Sequence, residues 1–368
     1  MNQEVVLRTV LLTAVLALAP SVSALADDSA AAIAAGGLVP RRETRIVMAK
    51  EVLRISDKKV VVDYDFRNDT DQDVTTEGAF PVPPYENYWQ QQSLTEESFS
   101  DFRLRINGKP VTFQAEAKAT LKGKDVTAIL ATDKIDVASF GHFEELPDGG
   151  ILIHDLTQLP KTEQNRLVAL GLFDTDQQSA SWTVHLQYHW TQTFPAHSTV
   201  HIRHEYSPAV GFTQIDPPDV EDFLAQFNTG HGKGDDPDDV KLLSGFCVNQ
   251  PFLRTLARQL RESASQAKTE DERLVAGVAY PQWVDFILTS ANTWQRPIED
   301  FTLIIERPQP EQDRKTLISF CSPANGKVEK LDADHFQVHL TNFIPTAELH
   351  IGFFEVPLVK PAQPAVKK

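Results

Sequence analysis

Hydrophobic residues recur at every second position through most of this chain. Val60, Val62, Tyr64 and Phe66 alternate with Val61, Asp63, Asp65 and Arg67 ahead of a turn cluster, Asn68-Asp69-Thr70-Asp71. A period of two puts one set of side chains on each face of a half-buried strand. The next strand is predicted through Val74, Thr76, Gly78 and Phe80, stopped by Pro81, Pro83 and Pro84. Phe102, Leu104 and Ile106 form another, which Asn107-Gly108 turns into Pro110 to Phe113. Asn-Gly between alternating apolar runs is a strong hairpin signal, because both residues tolerate positive φ. Trp182, Val184, Leu186, Tyr188 and Trp190 share one face. Phe194-Pro195-Ala196 then reads as the turn of a hairpin whose return strand carries Val200, Ile202, His204 and Tyr206. Strands resume at Val278, through Phe286 and Leu288, Phe301 to Ile305, Thr316 to Phe320, Phe336 to Leu340 and Leu349 to Val356.

Helical signals are fewer. Asp27 to Ala35 is Ala-rich, with Asp28 or Ser29 to cap it and Gly36-Gly37 to end it, so a short helix or turn is expected there. Residues 114–137, polar and Ala-rich, are a second candidate. Asp216-Pro217-Pro218 marks a change of character, with short helices predicted at 219–227 and 238–244 around a flexible acidic stretch, Thr229 to Asp239. Pro251 to Gln266 carries a stripe of Phe252, Leu253, Leu256, Ala257 and Leu260, with Arg254, Arg258 and Arg261 on a solvated face. The expected fold is mainly β: antiparallel β-sandwich sheets with a short helical insert at about residues 219–268. The expected segments are a leader (1–26), an N-terminal β domain (27–215), the insert (216–270), a C-terminal β region packed with or separate from the first (271–358), and a disordered tail (359–368).

Composition adds location. Arg8 precedes an apolar run from Val10 to Ala19, Pro20 closes it, and Ala24-Leu25-Ala26 supplies a small-x-small cleavage pattern before Asp27. This is the layout of a cleaved signal peptide, and the run is well short of the roughly 20 residues a spanning helix needs. The expectation is an exported, periplasmic protein with no integral membrane span after cleavage. The formal net charge of −16 argues against nucleic acid as a partner. Two cysteines, Cys247 and Cys321, most simply form a disulfide in an oxidising compartment, with buried thiols or a redox pair as the rival readings.

Several segments taken in order carry a family likeness. They are Asp27-Asp28-Ser29 leading to Gly36-Gly37-Leu38-Val39, Glu51 to Ser56, Tyr64-Asp65-Phe66-Arg67-Asn68 and Ala79-Phe80-Pro81-Val82-Pro83. Tyr188-His189-Trp190, His204-Glu205-Tyr206-Ser207-Pro208, and Trp294 with Pro297-Ile298 continue the series. Over nearly the whole mature chain this resembles a family of secreted bacterial proteins catalogued only as a domain of unknown function. The resemblance implies export and a shared fold, and no activity. The N-terminal half alone is similar to the vault/inter-alpha-trypsin type β domain, which would imply an interaction module.

Candidate chemistry is sparse. Five of the eleven histidines fall at His185, His189, His197, His201 and His204. In the expected hairpin, His189 stands opposite His201 and His185 opposite Glu205, a set that could hold zinc or copper. The bland alternative is a wet sheet face that happens to carry imidazoles. Gly230 to Asp239 lacks the order of a phosphate loop and the ligand spacing of a calcium loop, so it reads as a linker. His142 with Glu144-Glu145 reads as a solvated turn, and Gly-x-Ser-x-Gly is absent. Tyr85, Tyr88 and Trp89, after the proline stop, form a candidate recognition loop for an envelope protein, peptide or glycan, or else pack over the sandwich edge. The leading expectation is a non-enzymatic periplasmic binding or envelope-assembly protein. The alternative is a metal-dependent envelope hydrolase or metal-binding protein that uses the histidine-rich hairpin.

Overall fold

The computed structural model describes residues 29–34, 37–86, 92–93, 101–137, 143–145, 151–153, 156–175, 179–215, 243–270, 276–309 and 314–357. The chain starts with β1 (Ser29–Ala34), β2 (Gly37–Pro40), β3 (Ile46–Ile55), β4 (Val60–Asn68), β5 (Val74–Pro81) and β6 (Tyr85–Glu86). It continues through β7 (Gln92–Ser93), β8 (Arg103–Ile106), β9 (Lys109–Pro110), β10 (Gln114–Leu121) and β11 (Lys124–Asp125). Two small hairpins follow, β12 (Phe143–Glu145) with β13 (Ile151–Ile153) and β14 (Phe173–Asp174) with β15 (Ser179–Ala180). Next come β16 (Thr183–Phe194), β17 (Ser198–Tyr206), β18 (Val210–Phe212) and the helix Gln250–Gln266. The last strands are β19 (Tyr280–Phe286), β20 (Ile298–Glu306), β21 (Arg314–Phe320), β22 (Val328–Lys330), β23 (His335–Phe343) and β24 (Leu349–Pro357).

These strands build three large sheets. One has the order β11-β10-β16-β5-β1-β2, with β6 also on β16; another runs β22-β23-β20-β3-β4-β17-β8-β9; a third runs β21-β24-β19-β18-β7. The first two face each other as a sandwich filled with aromatic rings. Tyr188 stacks on Phe102 at 4.0 Å, Trp190 lies 5.2 Å from His204, and Phe80 lies 5.5 Å from Tyr206. Burial of that much ring surface is the main driving force for closing the two layers. β20 enters the eight-stranded sheet parallel to β3, so strands from both ends of the chain share one sheet. The third sheet buries Val284, Phe286, Ile351 and Phe353 in the same core, while Phe354 and Val356 on its other face take the apolar stripe of the helix. Asn249 caps that helix, its Oδ1 accepting from the Phe252 amide at 3.0 Å. Among the described residues no helix is long and apolar enough to cross a membrane.

Three expectations need correction. β16 and β17 do not form a hairpin: β16 pairs with β5 and β10, and β17 with β4 and β8. Each strand has a largely apolar, aromatic face, and placing the two in opposite layers lets each face bury the other. Of residues 114–137, Gln114–Leu121 is a strand and only Thr127–Thr132 is the expected helix. Gln114, Glu116, Lys118 and Thr120 alternate with alanines and Leu121, a period of two in which alanine is the small inward residue, and Ala119 is fully buried. Ser29 to Ala34 is likewise a strand, because the free edge of β5 offers backbone partners that outweigh the helix propensity of alanine. The leader, the tail, residues 219–227 and most of 238–244 lie outside the described residues.

Candidate binding cleft

An indentation lies where the three sheets meet. β5 ends at Pro81, and Pro83-Pro84 carry the chain across the sandwich edge until Tyr85 pairs with Val184 of β16. β17 ends at Tyr206; the Ser207 amide and hydroxyl donate to Asp101 at 2.7 and 3.0 Å, and Pro208-Ala209 lead into β18. Proline suits these crossings because it needs no amide partner and fixes φ. Pro83, Pro84, Tyr85, Pro208, Ala209, Gly211 and Asp285 line a cleft of about 290 Å³, counting space open to solvent.

Asp285 supplies its charge. Its Oδ1 lies 2.7 Å from Nδ1 of His350, the cross-strand neighbour on β24. This bond raises the His350 imidazole above its ordinary pKa, against the opposing effect of burial. Glu348, close by, is committed to the chain: it accepts from the amides of Leu288 and Thr289 at 2.8 and 3.2 Å and from the Thr289 hydroxyl at 2.5 Å. Burial pushes the Tyr85 phenol well above its ordinary pKa, so it serves as a neutral wall.

The histidines suggested as metal ligands are separated. His185 and His189 lie on β16, in the seven-stranded sheet, whereas His201 and Glu205 lie on β17, in the eight-stranded one. Each has its own partner. His185 Nε2 meets Thr120 Oγ1 at 2.9 Å, and His189 Nδ1 meets Glu77 at 3.0 Å. His201 bridges Asp65 at 3.0 Å and Asp63 at 3.3 Å, and Glu205 pairs with Arg103 at 3.4 Å. Burial holds the His185 imidazole below its ordinary pKa. His204 is fully buried among Tyr64, Phe80, Phe102 and Trp190. Among the described residues, no group of three His, Cys, Asp or Glu side chains is disposed to hold a zinc or copper ion.

The other candidates divide. Cys247 and Cys321 form a disulfide with Cα atoms 4.9 Å apart, tying the turn before the helix to the end of β21. Of the two readings of Tyr85, packing over the sandwich edge is the one it takes: it is buried and forms a wall of the cleft, because its pairing with β16 draws the ring into the core. Tyr88 and Trp89 lie outside the described residues. Sequence reasoning did not single out Trp283, Asp285 or His350. The signal available was Trp283-Val284-Asp285-Phe286, an alternating strand with its polar and aromatic positions on one face.

Fold and cleft define a three-sheet β-sandwich protein with a walled surface site. The chain belongs to the family described as Domain of unknown function (DUF4424), whose model matches residues 26–351, as the likeness read from the sequence implies. No curated protein matches it. Solved structures with partial similarity include a Legionella pneumophila protein suggested to bind nutrients, at 15% identity and TM-score 0.38, covering 90% of this chain and 72% of that one. Yeast LTA4 hydrolase bound to bestatin is similar at 8% identity and TM-score 0.29, over 84% of this chain and 28% of that one. A two-domain M1 zinc metallopeptidase bound to L-tryptophan follows at 9% and 0.20, over 85% and 44%. At these scores none of the three bears on function.

Proposed function

We propose that the protein is an exported, non-enzymatic binding module of the periplasm that takes its ligand, an envelope protein, peptide or glycan, at the three-sheet cleft. The observation that carries the reading is the cleft: rigid proline walls, a neutral buried tyrosine, and a single carboxylate–imidazole pair at its side. Rigid walls lose little conformational entropy when a ligand is ordered against them. The charged start, apolar run and Ala-x-Ala pattern of residues 1–26 support export. The zinc or copper reading has no comparable support, since its four residues sit in two different sheets.

Two measurements test the proposal. Mass spectrometry of protein recovered from periplasmic extract should give a chain beginning at Asp27; an intact leader in the cytosolic fraction would refute export. Ala209→Trp should fill the cleft, so a ligand found by thermal-shift screening should lose its effect on the variant while the fold persists. A ligand that binds both forms equally would refute the cleft as the site.

A further inference from the structure

The third sheet presents, beside the cleft, a group of residues that suits one ligand chemistry. Trp283 and Asp285 are two apart on β19 and so share a face. Their cross-strand neighbours are small or polar: Gly211 on β18 and Gly352 on β24 flank Trp283, and His350 flanks Asp285. A Cβ at Gly211 would overlap Cε2, Cζ2 and Nε1 of Trp283, so the indole lies across the glycine and its ring runs along the sheet. Gly78 and Trp190 repeat the device inside the sandwich, but there the indole is buried. Trp182, Trp190 and Trp294 are all buried; Trp283 alone among the described tryptophans is only partly buried, packed against the helix-side core and exposed over the rest. Its inner edge rests near Phe246, with ring centroids 6.1 Å apart.

The polar pair beside it retains hydrogen-bonding capacity. Asp285 Oδ1 and His350 Nδ1 satisfy each other, whereas Asp285 Oδ2 and His350 Nε2 take no partner among the described residues. Their side chains are 32% and 45% exposed. The bond to Asp285 favours the charged form of the imidazole, which offsets part of the carboxylate's charge. The pair offers hydrogen-bonding atoms to a ligand carrying hydroxyl groups.

We infer that the cleft takes an uncharged, pyranose-bearing glycan, its apolar ring face stacked on Trp283 and its hydroxyls bonded to Asp285 and His350. This deepens the binding reading above and rests on it. The exposed part of a flat aromatic ring supplies area at low entropic cost, and the adjacent polar atoms fix the orientation of the sugar.

The test uses the full mature chain, neutral hexose and N-acetylhexosamine oligosaccharides, and proline-rich peptides as the competing ligand class. Saturation-transfer NMR identifies binders and calorimetry measures affinity. At least one neutral oligosaccharide should bind, and Trp283→Ala and Asp285→Asn should each weaken it by about tenfold or more. Trp283→Phe, which keeps an aromatic face, should retain part of the affinity and serves as the test if the alanine variant is poorly folded. Glycan binding that both folded variants leave unchanged overturns the assignment of these residues. A peptide that binds and is excluded by Ala209→Trp overturns the glycan inference while the binding-module reading stands. No binding by either class at millimolar ligand overturns both.

Discussion

Replacing Gly211 with alanine probes the packing on which the cleft depends. The added methyl would sit well inside 3 Å of three indole atoms of Trp283, so the ring must shift away or β18 and β19 must part. Overpacking of this kind costs about 1–3 kcal/mol. The same change in an unobstructed strand gains roughly 0.5–1 kcal/mol from the reduced freedom of the unfolded chain. A net destabilisation of about 1–2 kcal/mol is expected in the native background. In a Trp283→Ala background the space is open, and Gly211→Ala should become neutral or mildly stabilising. The coupling energy of the cycle should then be about 2 kcal/mol, large for a single pair. Urea unfolding of the four proteins, followed by far-ultraviolet circular dichroism at one pH, measures it. Equal effects of Gly211→Ala in both backgrounds would refute the placement of the indole across the glycine.

Other consequences of the structure are open to simple measurements. Replacing Cys247 and Cys321 with serine frees a 74-residue loop and should cost about 4 kcal/mol of stability; a loss below about 1 kcal/mol would refute a structural role. Because Asp285 raises the folded-state pKa of His350, the stability from this pair is present below the ordinary histidine value and lost as pH rises through the folded one. The penalty of His350→Gln should therefore shrink as pH rises above the ordinary histidine value of about 6.5, and a penalty that grows would contradict the pairing. Phe102→Ala removes a ring packed on Phe80, Phe113, Tyr188 and His204 and should cost about 3–5 kcal/mol in the same unfolding assay. Zinc should not raise the melting temperature; binding tighter than about 10 μM that disappears in a His189→Ala/His201→Ala variant would overturn the separation of those residues.

Much of the secondary structure was legible before any tertiary information. β4 shows strict alternation of buried and half-buried positions from Val60 to Asn68, as its sequence predicts. Asn107 and Gly108 adopt φ of 49° and 77° in the turn between β8 and β9, where the Asn-Gly signal placed it. The helix from Gln250 to Gln266 buries the stripe read from its period of 3.6. β10 was missed because alanine alternating with polar residues reads as helix propensity, although its period is that of a strand. The candidate cleft was legible only in fragments: Pro83, Pro84 and Tyr85 stood out, while Trp283, Asp285 and His350 looked like ordinary strand residues.

The sequence alone therefore determined the period of nearly every strand, the helix stripe, the candidate cysteine pair and the family likeness, because each is local or compositional. Which strands become neighbours was decided only in three dimensions. β16 and β17 are consecutive yet lie in opposite layers, and β3 and β20 are neighbours although most of the chain separates them. Local periodicity says which face of a strand is apolar but not which other face will cover it. That choice follows from matching whole aromatic surfaces across the sandwich, and it scatters the histidines while bringing Asp285 against His350.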